Sequence, residues 1–333
     1  MSEPPGGARG DLEPIPGRPP GLLSFTVEGR RAPGLFVLGW LATLAGAGLL
    51  VVGFGAEELP ATVFSIAGLL GLAVGLTALA GSQAVEARGH GVARAYVGPS
   101  PILVFAAAVP TALLISIASL PLLGVLGIDP RSPAAALLSL LATAAAYLGL
   151  IRLLVVGTGA LAWREMGLRR PERGLGRELL YGAVLAVPVL YLSGFLALLL
   201  GSVVAAPEPP LPPATDLVGR GLNLLSGAVV APVAEEIFFR GYATTAWLRR
   251  HGPTAAIVRG ALFFAFAHVL TVGGATFAEG AERALFAFVV RLPIALVLGW
   301  LFVRRGSLAA AIGCHAVFNG LPLATIAALA LGG

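Results

Sequence analysis

The feature that most constrains this chain is a succession of long apolar runs separated by short polar or arginine-bearing segments. The nine runs fall at about 35–56, 61–81, 102–127, 134–158, 179–204, 219–247, 254–272, 283–303 and 307–331. A membrane-spanning helix needs roughly 20 predominantly apolar residues, and in hydrocarbon a helix satisfies its own backbone hydrogen bonds. The pattern predicts an all-α, polytopic transmembrane bundle of about nine spans. Eight spans is the alternative, because the boundaries near Arg152 and in the Pro-rich stretch 205–213 are poorly defined.

The scarcity of charge agrees with this reading. Charged residues make up 12% of the chain, against roughly 25% in soluble domains. This excludes a water-soluble globule, a disordered chain and a coiled coil. The net charge of +5 does not indicate nucleic acid as a partner, because the arginines lie between apolar runs and form no basic stripe interleaved with aromatic residues. The expected surroundings are the lipid bilayer.

The arginines also predict an orientation. All 22 basic residues are arginine; 15 fall in the N-terminal tail and one alternating set of connections, 3 fall in the other set, and the rest lie inside spans. Arginine-rich segments stay in the cytoplasm. The distribution predicts a multi-pass protein of the inner (cytoplasmic) membrane, with its N-terminus in the cytoplasm and its C-terminus outside.

The chain divides into three parts. Residues 1–30 are rich in Pro and Gly and are predicted to be a disordered cytoplasmic tail. Residues 31–133 hold the N-terminal transmembrane helices, and 134–333 hold the functional core. Cys314 is the single cysteine, so no intrachain disulfide and no cysteine-based metal site is expected.

Polar residues that lipid disfavours are concentrated in the sixth, seventh and ninth runs. Ionisable side chains near the bilayer centre cost at least roughly 2.5–3.5 kcal/mol each on insertion scales, so they mark candidate functional sites. These residues lie roughly 15–21 Å from the estimated cytoplasmic boundary at 1.5 Å per residue. They would therefore meet in one slab of the membrane. The set comprises Glu235, Glu236, Arg240, His268, His315 and Asn319.

Helical spacing assigns pairs within this set. Glu236 and Arg240 stand four residues apart in the favourable order for an ion pair, and His315 and Asn319 share a face. The adjacent Glu235 points about 100° away from Glu236, which leaves it less well compensated. Such a carboxylate can act as a general base on water, while a histidine and an asparagine donate to an oxyanion. Two histidines and a glutamate could instead hold a metal ion, and spacing does not decide between these readings.

Three segments resemble the motifs of the family of CAAX proteases and bacteriocin-processing proteins (CPBP, also called Abi). Ala234–Gly241 is similar to its Glu-Glu-x-x-x-Arg motif, Phe264–His268 to its Phe-x-x-x-His motif, and His315–Asn319 to its His-x-x-x-Asn motif. Their order and placement on helices match as well. The resemblance covers roughly 135–331 and leaves residues 1–133 unexplained.

The resemblance implies an intramembrane endopeptidase whose active site opens towards the cytoplasm. Carried over, it makes Glu235 and His268 the pair that activates water. It makes His315 and Asn319 the donors of the oxyanion hole. Substrates would be membrane-associated or lipidated peptides and proteins.

Further roles are expected around these four residues. Glu236 and Arg240 would form a supporting ion pair. Phe239, Phe264 and Arg291 are candidates for lining a substrate groove. A glutamate-type mechanism with no metal cofactor is favoured.

Three alternatives stay open. The first is a metallopeptidase that binds zinc or another divalent metal through Glu235, His268 and His315. The second is a proton-coupled transporter, because intramembrane Glu, His and Arg also form proton relays. The third is a non-catalytic membrane scaffold.

Overall fold

The structure is a computed structural model that describes residues 30–87 and 96–332, with side chains up to residue 328. The predicted tail at 1–30 lies, apart from Arg30, outside the described residues. Within the described ranges the chain is helical and contains no strand. The predicted all-α class is confirmed.

Nine helices follow one another, and their ends fall within a few residues of the predicted runs. They are α1 Pro33–Phe54, α2 Glu58–Ala87, α3 Pro101–Val125, α4 Pro133–Val156, α5 Leu175–Gly201, α6 Leu217–His251, α7 Pro253–Val269, α8 Phe277–Arg305 and α9 Ala309–Gly332. Among the described residues, eight of these helices are long and apolar enough to cross a membrane. The exception is α7, which has 17 residues.

Local sequence explains where several helices begin. Proline occupies the first turn of α1, α3, α4 and α7, where its missing N–H has no intrahelical role. Ser132, Asp216 and Thr276 cap α4, α6 and α8 by accepting a hydrogen bond from the backbone N–H three residues on. Gly306, with φ of 61°, ends α8 in the left-handed conformation that glycine tolerates.

Helix α6 lies at the centre of the bundle. The first four helices pack in sequence, α1 on α2, α2 on α3 and α3 on α4, and α4 then packs on α6. On its other sides α6 contacts α7, α8 and α9, while α5 packs on α8 and α9. Side chains from four other helices therefore surround α6.

The short helix α7 returns the chain across the bundle. Gly252, with φ of 79°, joins it directly to α6, and Ile257 near its start packs against Gly299 near the end of α8. Helix α7 thus runs antiparallel to α8, and α6 and α8 end on the same side. Among the described residues the nine helices therefore include eight candidate spans and one shorter apolar helix, α7.

Close helix contacts and apolar surfaces fit a lipid environment. Gly182 of α5 faces the carbonyl of Ala310, and Gly313 of α9 faces the backbone of Leu179, so neither position has room for a Cβ atom. Large apolar side chains are exposed along the outside of every helix. The protein is a multi-pass membrane protein.

Candidate active site

Helix α6 departs from regular α geometry at the predicted motif. Segments Ser226–Val230 and Glu236–Thr244 are π-helical. The amide of Ala231 donates to the carbonyl of Ser226, five residues back, and the Thr244 hydroxyl donates to the carbonyl of Phe239. Such wide turns often occur at functional sites. Here they flank the two adjacent glutamates.

Glu236 and Arg240 form a fully buried ion pair. Arg240 Nη1 donates to Glu236 Oε1 at 2.9 Å, and the two side chains are 0% and 1% exposed. Arg240 Nη2 donates to the carbonyl of Ala295 on α8 at 3.3 Å. The guanidinium also lies 4.2 Å from the centroid of the Phe264 ring. These contacts stabilise the buried pair through Oε1 of Glu236, while its Oε2 is buried with no hydrogen-bond partner among the described residues.

An aromatic cluster closes the site on the side of α3 and α4. Phe238 packs against Tyr147 with ring centroids 4.4 Å apart, and Phe239 packs against Phe105 at 5.9 Å. Phe239 and Phe264 are 5.2 Å apart and both are buried. Their predicted part in a substrate groove stays a prediction, because both rings lie inside the packed cluster in this conformation.

Glu235 has different surroundings. Its side chain is 20% exposed, and its Oε2 atom lies 3.7 Å from His268 Nε2 and 3.8 Å from His315 Nε2. Oε2 is buried and has no hydrogen-bond partner among the described residues. A buried carboxylate oxygen without a donor is costly. Residues from α6, α7 and α9 therefore converge on an oxygen that is available to accept a hydrogen bond.

Hydrogen bonds on the far side of each ring fix the histidine tautomers. His268 Nδ1 lies 2.8 Å from the carbonyl of Phe264, and His315 Nδ1 lies 2.8 Å from Glu236 Oε1. Both partners are acceptors, so each Nδ1 carries a proton. In the neutral rings both Nε2 atoms then present a lone pair towards Glu235. The site is an array of three proton acceptors.

Two predicted residues lie further from this array. Asn319 donates from Nδ2 to the carbonyl of Gly227 at 3.0 Å, which ties α9 to the first π-helical segment. Arg291 donates to the carbonyl of Ala287 at 3.0 Å and interacts electrostatically with Glu235. The Asn319 Nδ2 atom carries a second N–H donor, so its predicted part in an oxyanion hole stays a prediction.

Sequence reasoning missed three contributors to the site. Tyr147 of α4 interacts electrostatically with Glu235, Phe105 of α3 is part of the aromatic cluster, and the carbonyl of Ala295 binds Arg240. The aromatic residues could have been noticed as polar or bulky positions in otherwise small-residue runs. A backbone acceptor leaves no signal in sequence. Phe105 also shows that the N-terminal helices help to build the site.

An apolar groove of about 250 Å³ runs between α4 and α6 next to the glutamate pair. Leu148 forms one wall, and Val229, Val233 and Ile237 form the other. Val233 and Ile237 flank Glu235 along α6. The groove therefore lies at the same depth along α6 as Glu235, on a different face of the helix.

The donor atoms around Glu235 allow a test of metal binding. Ligands at the corners of a tetrahedral zinc site lie roughly 3.3 Å apart, given bonds of about 2.0–2.1 Å. The distances of 3.7 and 3.8 Å from Glu235 Oε2 to the histidine nitrogens are wider. In the described part of the chain no group of three His, Cys, Asp or Glu side chains is arranged to hold a metal ion. The present geometry does not fit the metal alternative, and a metal-free site stays a prediction.

Comparison with known proteins adds one finding. Residues 219–321, which run from α6 into α9, match the family model described as type II CAAX prenyl endopeptidase Rce1-like. The match confirms the resemblance to the CPBP family over a shorter stretch than 135–331. No curated protein matches the chain, and no solved structure matches it.

Proposed function

Because residues 219–321 match the Rce1-like type II CAAX prenyl endopeptidases, we propose that the protein is an intramembrane endopeptidase that hydrolyses peptide bonds of membrane-associated or lipidated substrates. The observation that carries the proposal is the unpartnered Glu235 Oε2, which faces the Nε2 atoms of His268 and His315. This arrangement suits the activation of water.

In the proposed first step a water molecule lies among these three atoms. It donates one proton towards Glu235 and the other towards an imidazole Nε2, which directs its oxygen lone pair at the substrate carbonyl. Glu235, assisted by His268, takes a proton as the carbon–oxygen bond forms. The carbonyl oxygen then carries the negative charge of a tetrahedral intermediate.

In the second step the C–N bond breaks. The accepted proton passes to the leaving nitrogen, so that the products are a carboxylic acid and an amine and no net proton is consumed. His315, protonated at Nε2 by the proton that Glu235 has accepted, would donate to the oxyanion while Glu236 holds Nδ1, until that same proton passes to the leaving nitrogen. Asn319 would be the second donor. Arg240 keeps Glu236 charged and in place.

The substrate class follows from the surroundings of Glu235. The groove between α4 and α6 is lined by aliphatic side chains and lies at the same depth along α6 as Glu235. An apolar segment or lipid-modified peptide would lie there at low cost. A soluble, strongly charged peptide would lose its hydration there and would not bind.

The proposed orientation places the arginine-rich ends of α6 and α8 in the cytoplasm. Arg249, Arg250, Arg304 and Arg305 all lie at these ends. The positive-inside rule then puts the N-terminus in the cytoplasm and, after nine passes, the C-terminus outside. The proposed location is the inner membrane.

The test uses the full chain in proteoliposomes with a fluorogenic peptide tethered by a lipid anchor. The wild type should cleave it, and Glu235→Gln should lower kcat by about 10²–10⁴-fold. Glu172→Gln, an exposed carboxylate in the connection between α4 and α5, is the matched control and should retain full activity. Proton-coupled solute uptake that depends on Glu235, without cleavage by the wild type, would contradict the proposal in favour of a transporter.

A further inference from the structure

A second polar site lies at the arginine-rich ends of α6 and α8. A pocket of about 300 Å³ is formed there by the connection between α4 and α5, the last turns of α6, and the end of α8. Arg164, Arg169 and Arg249 line it together with Glu165. With three positive charges and one negative charge, the pocket carries a net charge of about +2, which favours an anionic ligand.

The arginines are arranged around the pocket by contacts on its walls. Arg249 Nη2 donates to Glu165 Oε1, 2.6 Å away, and Arg169 Nε donates to the carbonyl of Gly306, 2.8 Å away. These bonds use one donor of each guanidinium, and each group has five. The fork geometry of the remaining donors suits two-point recognition of phosphate oxygens.

Thr245 provides an independent indication of a ligand. It lines the pocket and is 4% exposed, yet its hydroxyl oxygen is buried without a hydrogen-bond partner among the described residues. The preceding Thr244, equally buried, donates to the carbonyl of Phe239. The Thr245 hydroxyl makes no such bond and lies at the wall of a cationic pocket. It can therefore donate to an oxygen atom of a ligand.

The remaining wall places the pocket at a membrane interface. Leu248, Phe302 and Val303 complete it with apolar surface at the ends of two spans. A phosphate flanked by hydrocarbon is the chemistry of a phospholipid headgroup and its first acyl carbons. Basic pockets between spans are known to take such headgroups.

We propose that this pocket binds the phosphate group of an anionic ligand, and its position favours a membrane phospholipid as the source. A bound phosphate would join α6, the α4–α5 connection and α8. The connection already packs into the core through Met166, whose carbonyl faces Gly241 of the motif helix, and through the Leu308 amide, which donates to the carbonyl of Gly167. Binding should therefore raise the thermal stability of the fold.

The test measures ligand binding to the purified full chain and does not use peptidase activity. Native mass spectrometry counts phosphatidylglycerol adducts, and the unfolding midpoint is measured with phosphatidylglycerol, with phosphatidylcholine and with inorganic phosphate. A shift with phosphatidylglycerol alone identifies the lipid, whereas a shift with inorganic phosphate assigns the pocket to a soluble phosphate compound. No shift with either probe would overturn the proposal.

Matched variants locate the binding. Arg164→Gln with Arg169→Gln should raise the Kd by at least about tenfold more than Arg173→Gln with Arg177→Gln, which removes the same charge outside the pocket, at the end of the connection and in the first turn of α5. Equal losses in both double variants would mean general surface attraction and overturn the site. Thr245→Val, nearly isosteric, should weaken binding with no loss of basal stability. Unchanged binding in Thr245→Val as well as in the pocket double variant would equally contradict the proposal.

Discussion

Two adjacent carboxylates of α6 have opposite surroundings on the two sides of the helix. Glu236 is 0% exposed and shares its Oε1 atom with Arg240 and His315. Glu235 is 20% exposed, and its Oε2 atom has no donor among the described residues. Glu236 is held by two partners through one oxygen, although its Oε2 atom is also buried without a donor, whereas Oε2 of Glu235 faces two histidine nitrogens and can accept from a molecule that enters.

The difference shows how a membrane protein can contain a reactive group on which the stability of its fold does not depend. The closed side provides rigidity, because a buried, hydrogen-bonded pair resists rearrangement. The open side would provide the proposed chemistry and makes fewer contacts that stability depends on. His315 belongs to both sides, with Nδ1 on Glu236 and Nε2 facing Glu235.

The largest expected effect is on the open side. His268→Gln should lower kcat by about 10²–10⁴-fold, because the Nε2 lone pair that helps to accept the proton of water is lost. The unfolding midpoint should stay close to that of the wild type, since the ring is 25% exposed and its Nδ1 bond is to a carbonyl of its own helix. Cleavage of the tethered peptide measures kcat, and thermal unfolding measures the midpoint. A large fall in the unfolding midpoint together with the fall in kcat would contradict the difference between the two sides of α6.

The closed side should give the largest effect on stability. Arg240→Met leaves Glu236 buried without its cation and should lower the free energy of unfolding by about 3–5 kcal/mol. Denaturant unfolding in detergent micelles is the measurement. Adding Glu236→Gln to this variant should recover part of the loss because the uncompensated charge is removed. No recovery would contradict the ion pair as the source of the effect.

Neighbouring threonines sharpen the same contrast between satisfied and unsatisfied groups. Thr244→Val removes a buried hydroxyl that donates to the carbonyl of Phe239, and should cost about 1 kcal/mol. Thr245→Val removes a buried hydroxyl without a described partner, and should be neutral or slightly stabilising in the absence of ligand. Thermal unfolding of the two variants in the same detergent compares them. The reverse order would contradict the assigned contacts.

The smallest expected effect lies at the surface. The Ala162 amide, and after it Arg249, hold the pKa of Glu165 below its ordinary value of 4.5. This contribution to stability is present above that value and is lost as the pH falls through the lower, folded-state pKa. It should amount to less than about 1 kcal/mol, because the side chain is exposed and screened. The stability difference between wild type and Glu165→Gln, measured from neutral to acid pH, should shrink over that range.

The sequence predicted the spans well because hydrocarbon thickness limits the length of an apolar run. Charges in the sixth, seventh and ninth runs also located the slab in which Glu235, His268 and His315 meet, because lipid makes such residues rare. The i,i+4 spacing also predicted the ion pair of Glu236 with Arg240, which the structure confirms. Acceptors from other helices, such as the carbonyl of Ala295, could not be read in the same way.

Other features also depend on tertiary packing. The π-helical segments have no composition of their own, since α and π turns use the same residue types. The bond from Asn319 to Gly227 depends on how α9 lies against α6. The length of α7 was overestimated because its apolar run continues past Val269 into residues that leave the helix.

The site is sensitive to the number of residues in α6 as well as to their identity. A deletion inside the π-helical segment Glu236–Thr244 can be absorbed when a π turn closes into an α turn, which holds fewer residues. Deleting one residue from the regular turn just before Glu235 has no such remedy, and every earlier side chain of α6 would rotate by about 100° relative to the motif. The apolar character of the span would hardly change, so insertion into the membrane would proceed as before. The carbonyl of Gly227, however, would no longer face Asn319. In this protein a change in chain length can therefore disturb the candidate site even though its residues are all still present.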